Sequence, residues 1–394
     1  MEHLLSTRAR RCTSSAIRDL LRLTADPHIL SLAGGLPAPE LFPVAALRRI
    51  TDDLLASPCA ARDALQYGPT EGTDELRALL APSSVGGRRR EVLVTTGSQQ
   101  ALDLLARVLV DPEDVVVVES PSYLGALQVL RGQGSNIVAV DADDDGLDTV
   151  HLGDLLARGM RPKLCYTVAN FSNPSGATMS RARRIHLATL ADRYGFVIVE
   201  DDPYGALRFT GTPVESIGRF GANVVTLGSA SKTLAPGLRV GWAVVPPWLM
   251  VPLVRQKQAA DLHTSSLAQA IVARSMQADW YEPHVRAIGV AYAERATALF
   301  TALGEHDVFS TVTRPEGGMF GWVRLRNGTD AAALLPDALA HGVAYVPGSA
   351  FSGQARYRDH VRLSFATLEP ERLGEAVARL AQVARRGARQ AAFA

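Results

Sequence analysis

The chain has 394 residues, of which 47% are hydrophobic and 21% charged, and a formal net charge of +1. Such a make-up suits a globular protein with a large core and room for two domains. The near-neutral charge gives no electrostatic case for nucleic acid or an anionic membrane as a partner. Cys12, Cys59 and Cys165 show no CxxC spacing and cannot all pair, and no apolar run approaches the roughly 20 residues that span a bilayer. The arginines of "MEHLLSTRARRCTSS" have no signal-type apolar stretch behind them. A reduced, cytoplasmic setting is therefore expected.

In chain order, an arm over residues 1–45 contains the Gly/Pro-rich "SLAGGLPAPELFP" and is expected to pack between two domains. Residues 46–284 then alternate short β-rich runs with helical apolar spacing. "EVLVTTGS" predicts a strand ending in a turn, and "QQALDLLARVLV" a helix. "DVVVVESPSY", "NIVAVDAD" and "KLCYTVANFSNPSG" predict further strands, with a helix over about 181–194. "GFVIVEDDPYG", "NVVTLGSASKT" and "RVGWAVVP" complete the set. Continuous Val/Ile runs joined by helices imply a mostly parallel α/β sheet covered on both faces. Its ligands are expected just past the carboxyl ends of the strands. Residues 285–394 suggest a smaller α+β domain, with a frayed Arg/Ala-rich tail after about Ala384.

The chain has only three lysines, Lys163, Lys232 and Lys257, and only Lys232 follows directly on the carboxyl end of a predicted strand. Desolvation there turns an ammonium into a nucleophile; a solvated surface lysine is the plain alternative. A Walker A loop needs Gly before the Lys, where this chain has Ser231, and a serine acylase would need SDN and KTG partners that are absent. Asp201 ends the strand of "VEDDPYG", either facing a ligand, capping a helix or binding metal; the absence of His/Cys clusters with ligand spacing weakens the metal reading. An acid opposite a nucleophilic lysine suggests a cofactor with a protonatable ring nitrogen, as pyridoxal phosphate has. Ser98 and Gln99 lie where a strand turns into a helix, as phosphate donors or plain caps, and Ser229, Ser231 and Arg239 would close the other side. Tyr123 reads as a ring-stacking or a core tyrosine, and Asn173 as a ligand or a turn former.

These motifs resemble the fold-type I pyridoxal-phosphate enzymes of the class I/II aminotransferases, closest to the branch with 2-aminoadipate and kynurenine aminotransferases. The likeness runs from about Ser14 to Val383 and rests on "SLAGGLPAPELFP", "QYGPTEG", "TTGSQQALDL", "ESPSY", "NFSNPSG", "EDDPYG", "GSASKTLAPGLRVGW", "KQAADLHT", "GGMFGW", "VPGSAF" and "VRLSFA", in that order. It implies a mostly parallel seven-stranded sheet sandwiched by helices, plus the smaller domain. It further implies that Lys232 forms the internal aldimine and shuttles protons while Asp201 holds the pyridine nitrogen. Tyr204 and Asn173 would bind the phenolic oxygen, and Tyr123 would stack on the ring. Ser98, Gln99, Ser229, Ser231 and Arg239 would bind phosphate, joined by Tyr67 of a neighbouring subunit in a homodimer that shares its active sites. Arg362 would take the substrate α-carboxylate beside Gly35. Arg18 on the N-terminal helix would meet the substrate side chain or stay solvated.

The expected reaction is ping-pong amino transfer from an α-amino acid to a 2-oxo acid, with no metal. Another pyridoxal reaction (lyase, decarboxylase or oxidase) is the rival. A ligand-sensing module is the weaker one, since only about a dozen residues precede "SSAIRDLL", where such regulators carry a DNA-binding domain. The family's usual "PNFQNPTG" reads "ANFSNPSG" here, and Ala230 stands where a Phe is common. These changes at Ala169, Ser172, Ser175 and Ala230 are expected to remove bulk near the cofactor rim.

Overall fold

The Val-rich runs of the first two-thirds of the chain become neighbours in one sheet. The computed structural model describes residues 2–11, 26–81, 86–326, 328–352 and 356–392. The strands are β1 (Leu30–Ser31), β2 (Glu91–Thr95), β3 (Val115–Ser120), β4 (Asn136–Asp143), β5 (Gly146–Leu147), β6 (Leu164–Thr167), β7 (Val197–Asp201), β8 (Val224–Ser229) and β9 (Gly241–Val245). They continue with β10 (Phe309–Thr313), β11 (Phe320–Leu325), β12 (Val343–Ala344), β13 (Val346–Pro347) and β14 (His360–Ser364).

The large sheet has the order β2-β9-β8-β7-β6-β3-β4-β5. Its seven longer strands match the expected sheet; the eighth, β5, is a two-residue edge strand folded back antiparallel on β4, too short to register as an apolar run. All remaining pairings are parallel except those of β9, which runs opposite to both β2 and β8. Alternate residues of one strand serve two cores. Val116 and Val118 of β3 join the cluster that contains Leu102 and Leu105, whereas Val117 joins the one that contains Leu187 and Ala191. The helices α1 (Ser98–Leu109) and α2 (Arg181–Tyr194) thus cover opposite faces. Both faces being covered explains why these strands read as unbroken apolar runs rather than alternating ones.

The chain then passes through α3 (Pro247–Asp261) and α4 (Tyr281–Gly304) to an antiparallel sheet of order β10-β11-β14-β13, and it ends in α5 (Pro370–Ala392). The Arg/Ala-rich tail after Ala384 continues the helix to Ala392. Arg and Ala are both strong helix formers, and Arg385 and Arg386 tie this segment to Asp307 and His341. The arm is stitched to the later part of the chain. β1 pairs parallel with β12, the Ser364 amide donates to Leu32 O at 2.7 Å, and the Ala38 amide donates to Tyr292 Oη at 3.1 Å. Among the described residues no helix is long and apolar enough to cross a membrane.

One buried cation fixes the loop that follows β6. Arg184 on α2 is fully buried; it donates to Met179 O at 2.9 Å, Ala169 O at 2.8 Å, Asn170 Oδ1 at 2.7 Å and Glu215 O at 3.1 Å, and lies 3.6 Å from Glu200. Removing it strands buried carbonyls and a buried carboxylate. Arg184→Met should therefore lower stability by about 3–5 kcal/mol, read as earlier thermal unfolding; an unchanged Tm would contradict this role.

Candidate active site

The parallel strands β8, β7, β6, β3 and β2 all end at one edge of the sheet, and antiparallel β9 begins there. The segments leaving that edge carry most of the predicted residues into one cavity of about 260 Å³, which Gly35 of the arm and Arg362 of β14 complete. It is lined by Gly35, Leu36, Ser98, Gln99, Tyr123, Val168, Asn173, Asp201, Pro203, Tyr204, Ser229, Ser231, Lys232, Arg239 and Arg362. One predicted residue is elsewhere, and one falls outside the described residues. Tyr67 is 78% exposed, does not line its own chain's cavity and sits edge-on to His263 at 5.7 Å. Arg18 lies outside the described residues.

After β2 the backbone turns at Gly97, with φ +83°, and opens α1 at Ser98. A side chain at Gly97 would strike the Arg239 guanidinium, and a Cβ at Gly241 would lie 2.5 Å from the Ser98 amide, so both positions require glycine. Arg239 donates to Thr96 O and Pro236 O, each at 3.3 Å, and Ser229 Oγ bonds both the Ser231 hydroxyl (2.9 Å) and its amide (3.1 Å). Gln99 is committed to its own fold: Nε2 donates to Gly125 O and Oε1 accepts from Tyr123 Oη. Burial pushes the Tyr123 phenol up to about 12, so it stays a neutral donor.

Asp201 is the buried acid. Its Oδ2 accepts from Tyr166 Oη at 2.8 Å, while its Oδ1, equally buried, has no partner. Burial raises the carboxyl to about 7, against the Tyr166 bond and with help from neighbouring Asp202. Lys232 Nζ donates to Gly35 O at 2.8 Å. Burial, then the cations Arg362 and Arg239, depress this ammonium to about 8. Arg362, on β14, is also buried; it donates to Asn173 Oδ1 at 2.9 Å and Ala33 O at 2.5 Å and stacks over Phe320 at 4.3 Å, leaving Nε without a partner. Burial lowers the guanidinium to about 10. Asn173 also hydrogen-bonds the Tyr204 hydroxyl, whose pKa is raised by burial.

Two supports went unread in the sequence. Tyr166 lies inside the strand "LCYT", where a tyrosine reads as core; only the pairing of β6 with β7 brings it to Asp201. Glu119 accepts from Thr167 Oγ1 (3.0 Å), the Val168 amide (3.1 Å) and Ser172 Oγ (2.9 Å), bracing the loop that carries Asn173. Burial raises Glu119 to about 7 despite those bonds. The expectation of lost bulk at the rim is corrected: Ala169, Ser172, Ser175 and Ala230 are all buried and none lines the cavity. Ala169 O accepts from Arg184, Ser172 bonds Glu119, and Ala230 packs with Leu234 and Val240.

The residues present fit pyridoxal phosphate. An orphaned buried carboxylate oxygen suits a protonated ring nitrogen, and the first turn of α1 offers free amides to a phosphate. A depressed lysine faces the same cavity. Among the described residues no group of three or more His, Cys, Asp or Glu side chains is placed to hold a metal ion.

The family model for aminotransferase class I and II matches residues 40–380. The chain is 39% identical to aromatic-amino-acid aminotransferase 1 of Thermococcus litoralis over 97% of this chain and 94% of the relative. It is 41% identical to the 2-aminoadipate transaminase of Thermus thermophilus, over 94% of each. It resembles the crystal structure of an α-aminoadipate aminotransferase of Thermus thermophilus, complexed with N-(5'-phosphopyridoxyl)-L-leucine, with a TM-score of 0.90, 38% identity and 98% coverage of both chains. This chain belongs to the class I and II aminotransferases, fold-type I pyridoxal-phosphate enzymes that move an amino group from an α-amino acid to a 2-oxo acid.

Proposed function

We propose that the amino donor is an α-amino acid with a long, largely apolar or aromatic side chain, held by Arg362 and worked on by Lys232. The observation that carries this reading is one cavity shared by a depressed lysine amine, a partnerless Asp201 oxygen and a buried arginine. Leu36 and Val168 give that cavity apolar wall, and the Thermococcus litoralis relative named above is an aromatic-amino-acid aminotransferase, which together support an apolar or aromatic side chain.

When bound, pyridoxal phosphate supplies an aldehyde carbon for the amino group and a cationic ring that draws electron density from the substrate α-carbon. Asp201 would hold the ring nitrogen's proton, with Tyr166 fixing the carboxylate's other oxygen. Ser98, Gln99 (through its backbone amide), Ser229, Ser231 and Arg239 would hold the phosphate, Tyr123 the ring face, and Tyr204 with Asn173 the phenolic oxygen. Arg362 pairs with the substrate α-carboxylate through the edge its bonds to Asn173 and Ala33 leave free. Lys232 Nζ takes the proton from the substrate α-carbon and returns one as ammonium, so it acts as base and then acid.

Tyr67 would reach the phosphate of a second copy in a homodimer with shared sites. Its exposure and its distance from its own cavity support that geometry. Both described cysteines, Cys59 and Cys165, are free thiols, which supports a reducing, cytoplasmic setting.

Supplied with an amino donor and with 2-oxoglutarate or pyruvate, the enzyme should form one new amino acid for each new 2-oxo acid. Arg362→Gln should raise KM for both substrates on the order of ten- to a hundred-fold and leave cofactor binding intact. Release of CO₂ or consumption of oxygen without an amino-acid product would contradict the proposal. In the cofactor-free chain, the rate at which an amine-selective acylating reagent labels Lys232 should rise with pH through about 8, because the neutral amine is the reactive form. An inflection at the ordinary lysine value of 10.5 would show that burial does not tune this amine.

A further inference from the structure

Lys257 is a fully buried lysine that the reaction above does not use. Its ammonium spends its three donors on Asp261 Oδ1 at 2.8 Å, Asp261 Oδ2 at 3.0 Å and Gln100 Oε1 at 3.0 Å. Both acceptor residues then grip one backbone position. Gln100 Oε1 accepts from the Thr96 amide at 2.8 Å, and Asp261 Oδ2 accepts from Thr96 Oγ1 at 2.9 Å and from Gln100 Nε2 at 2.7 Å. With Arg239 on its carbonyl, every polar group of Thr96 is tethered. Thr96 directly precedes Gly97 and Ser98, the turn that opens α1 into the cavity.

Neither Lys257 nor Asp261 lines the cavity, so they act on it only through that turn. Burying the Lys257 ammonium against the more exposed Asp261 has a desolvation cost that an apolar side chain of similar size avoids. The pair's placement under a turn with a required glycine points to geometry as what it secures. The backbone beside it is also held in a costly shape: Leu262, which caps α3, has φ +64° and an exposed side chain. A non-glycine residue keeps that conformation only where its surroundings over-determine it.

We infer that Lys257 and Asp261 are positioning residues that hold Thr96, and through it the amides and hydroxyl of the Ser98 turn and the Arg239 fork, in the geometry that binds the cofactor phosphate. The inference rests on reading the Ser98 turn as the phosphate site. A small displacement of such a turn costs affinity because its donors must converge on one anion.

The test is a titration of the cofactor-free full chain with pyridoxal phosphate, with inorganic phosphate and with pyridoxal, which lacks the phosphate. In Lys257→Met and in Asp261→Asn, the Kd for pyridoxal phosphate and for inorganic phosphate should rise on the order of ten- to a hundred-fold. The Kd for pyridoxal should not change, and neither should the KM for amino donor at saturating cofactor. Asp261→Asn keeps the side chain's size and one acceptor oxygen, so it carries the test even where Lys257→Met does not yield folded chain. A folded variant that binds both phosphate ligands as the unaltered chain does, or that loses pyridoxal affinity equally, overturns the inference. An unaltered chain that binds pyridoxal as tightly as pyridoxal phosphate overturns the phosphate site itself, and the inference with it.

Discussion

The site depends on keeping the Lys232 ammonium away from water. Burial removes its hydration, and Arg362 and Arg239 add like charge, so the neutral amine becomes accessible near pH 8. The same enclosure acts in the opposite sense on the acids: Asp201 and Glu119 are both pushed up to about 7. Around this cavity the cation is thus driven toward neutrality and the carboxyls toward protonation. A bound cationic ring nitrogen would give Asp201 the partner that its Oδ1 lacks and would restore the anion there.

That enclosure is assembled from distant parts of the chain. Parallel strands deliver Ser98, Tyr123, Asn173, Asp201 and Lys232 to one edge, and the reversed β9 delivers Arg239 to the same place. Arg362 comes from the second sheet and the Gly35 carbonyl from the arm, so the cavity closes only when all three parts are docked. The residues that touch the cavity are in turn held by others that do not. Tyr166 holds Asp201, Glu119 and Arg184 hold the loop that carries Asn173, and Lys257 with Asp261 holds Thr96.

Ser98, Gln99, Tyr123, Asn173, Asp201, Ser229, Ser231, Lys232 and Arg239 were legible in the sequence because each sits where a β-rich run meets a Gly, Ser or Pro turn, as Lys232 does after "VVTLGS". Gly35, Tyr204 and Arg362, by contrast, came only from the family resemblance. The supporting residues were not legible, because their meaning comes from pairing across strands. Tyr166 looks like core until β6 and β7 are placed side by side, and Glu119 looks like a strand-end acid until the 168–173 loop folds over it. Lys257 and Asp261 read as an ordinary i,i+4 helix pair, since the groups they hold in place, Gln100 and Thr96, lie more than 150 residues earlier. The departures at Ala169, Ser172 and Ala230 misled for the same reason. Proximity to a motif in sequence did not put their side chains at the cavity wall.

The central claim, that one enclosed amine carries the cofactor, is tested most directly by reducing the holoenzyme with borohydride and mapping the modified peptide. The account predicts a single phosphopyridoxyl label on Lys232, lost in Lys232→Ala. A label on Lys163 or Lys257, or none at all, would contradict it.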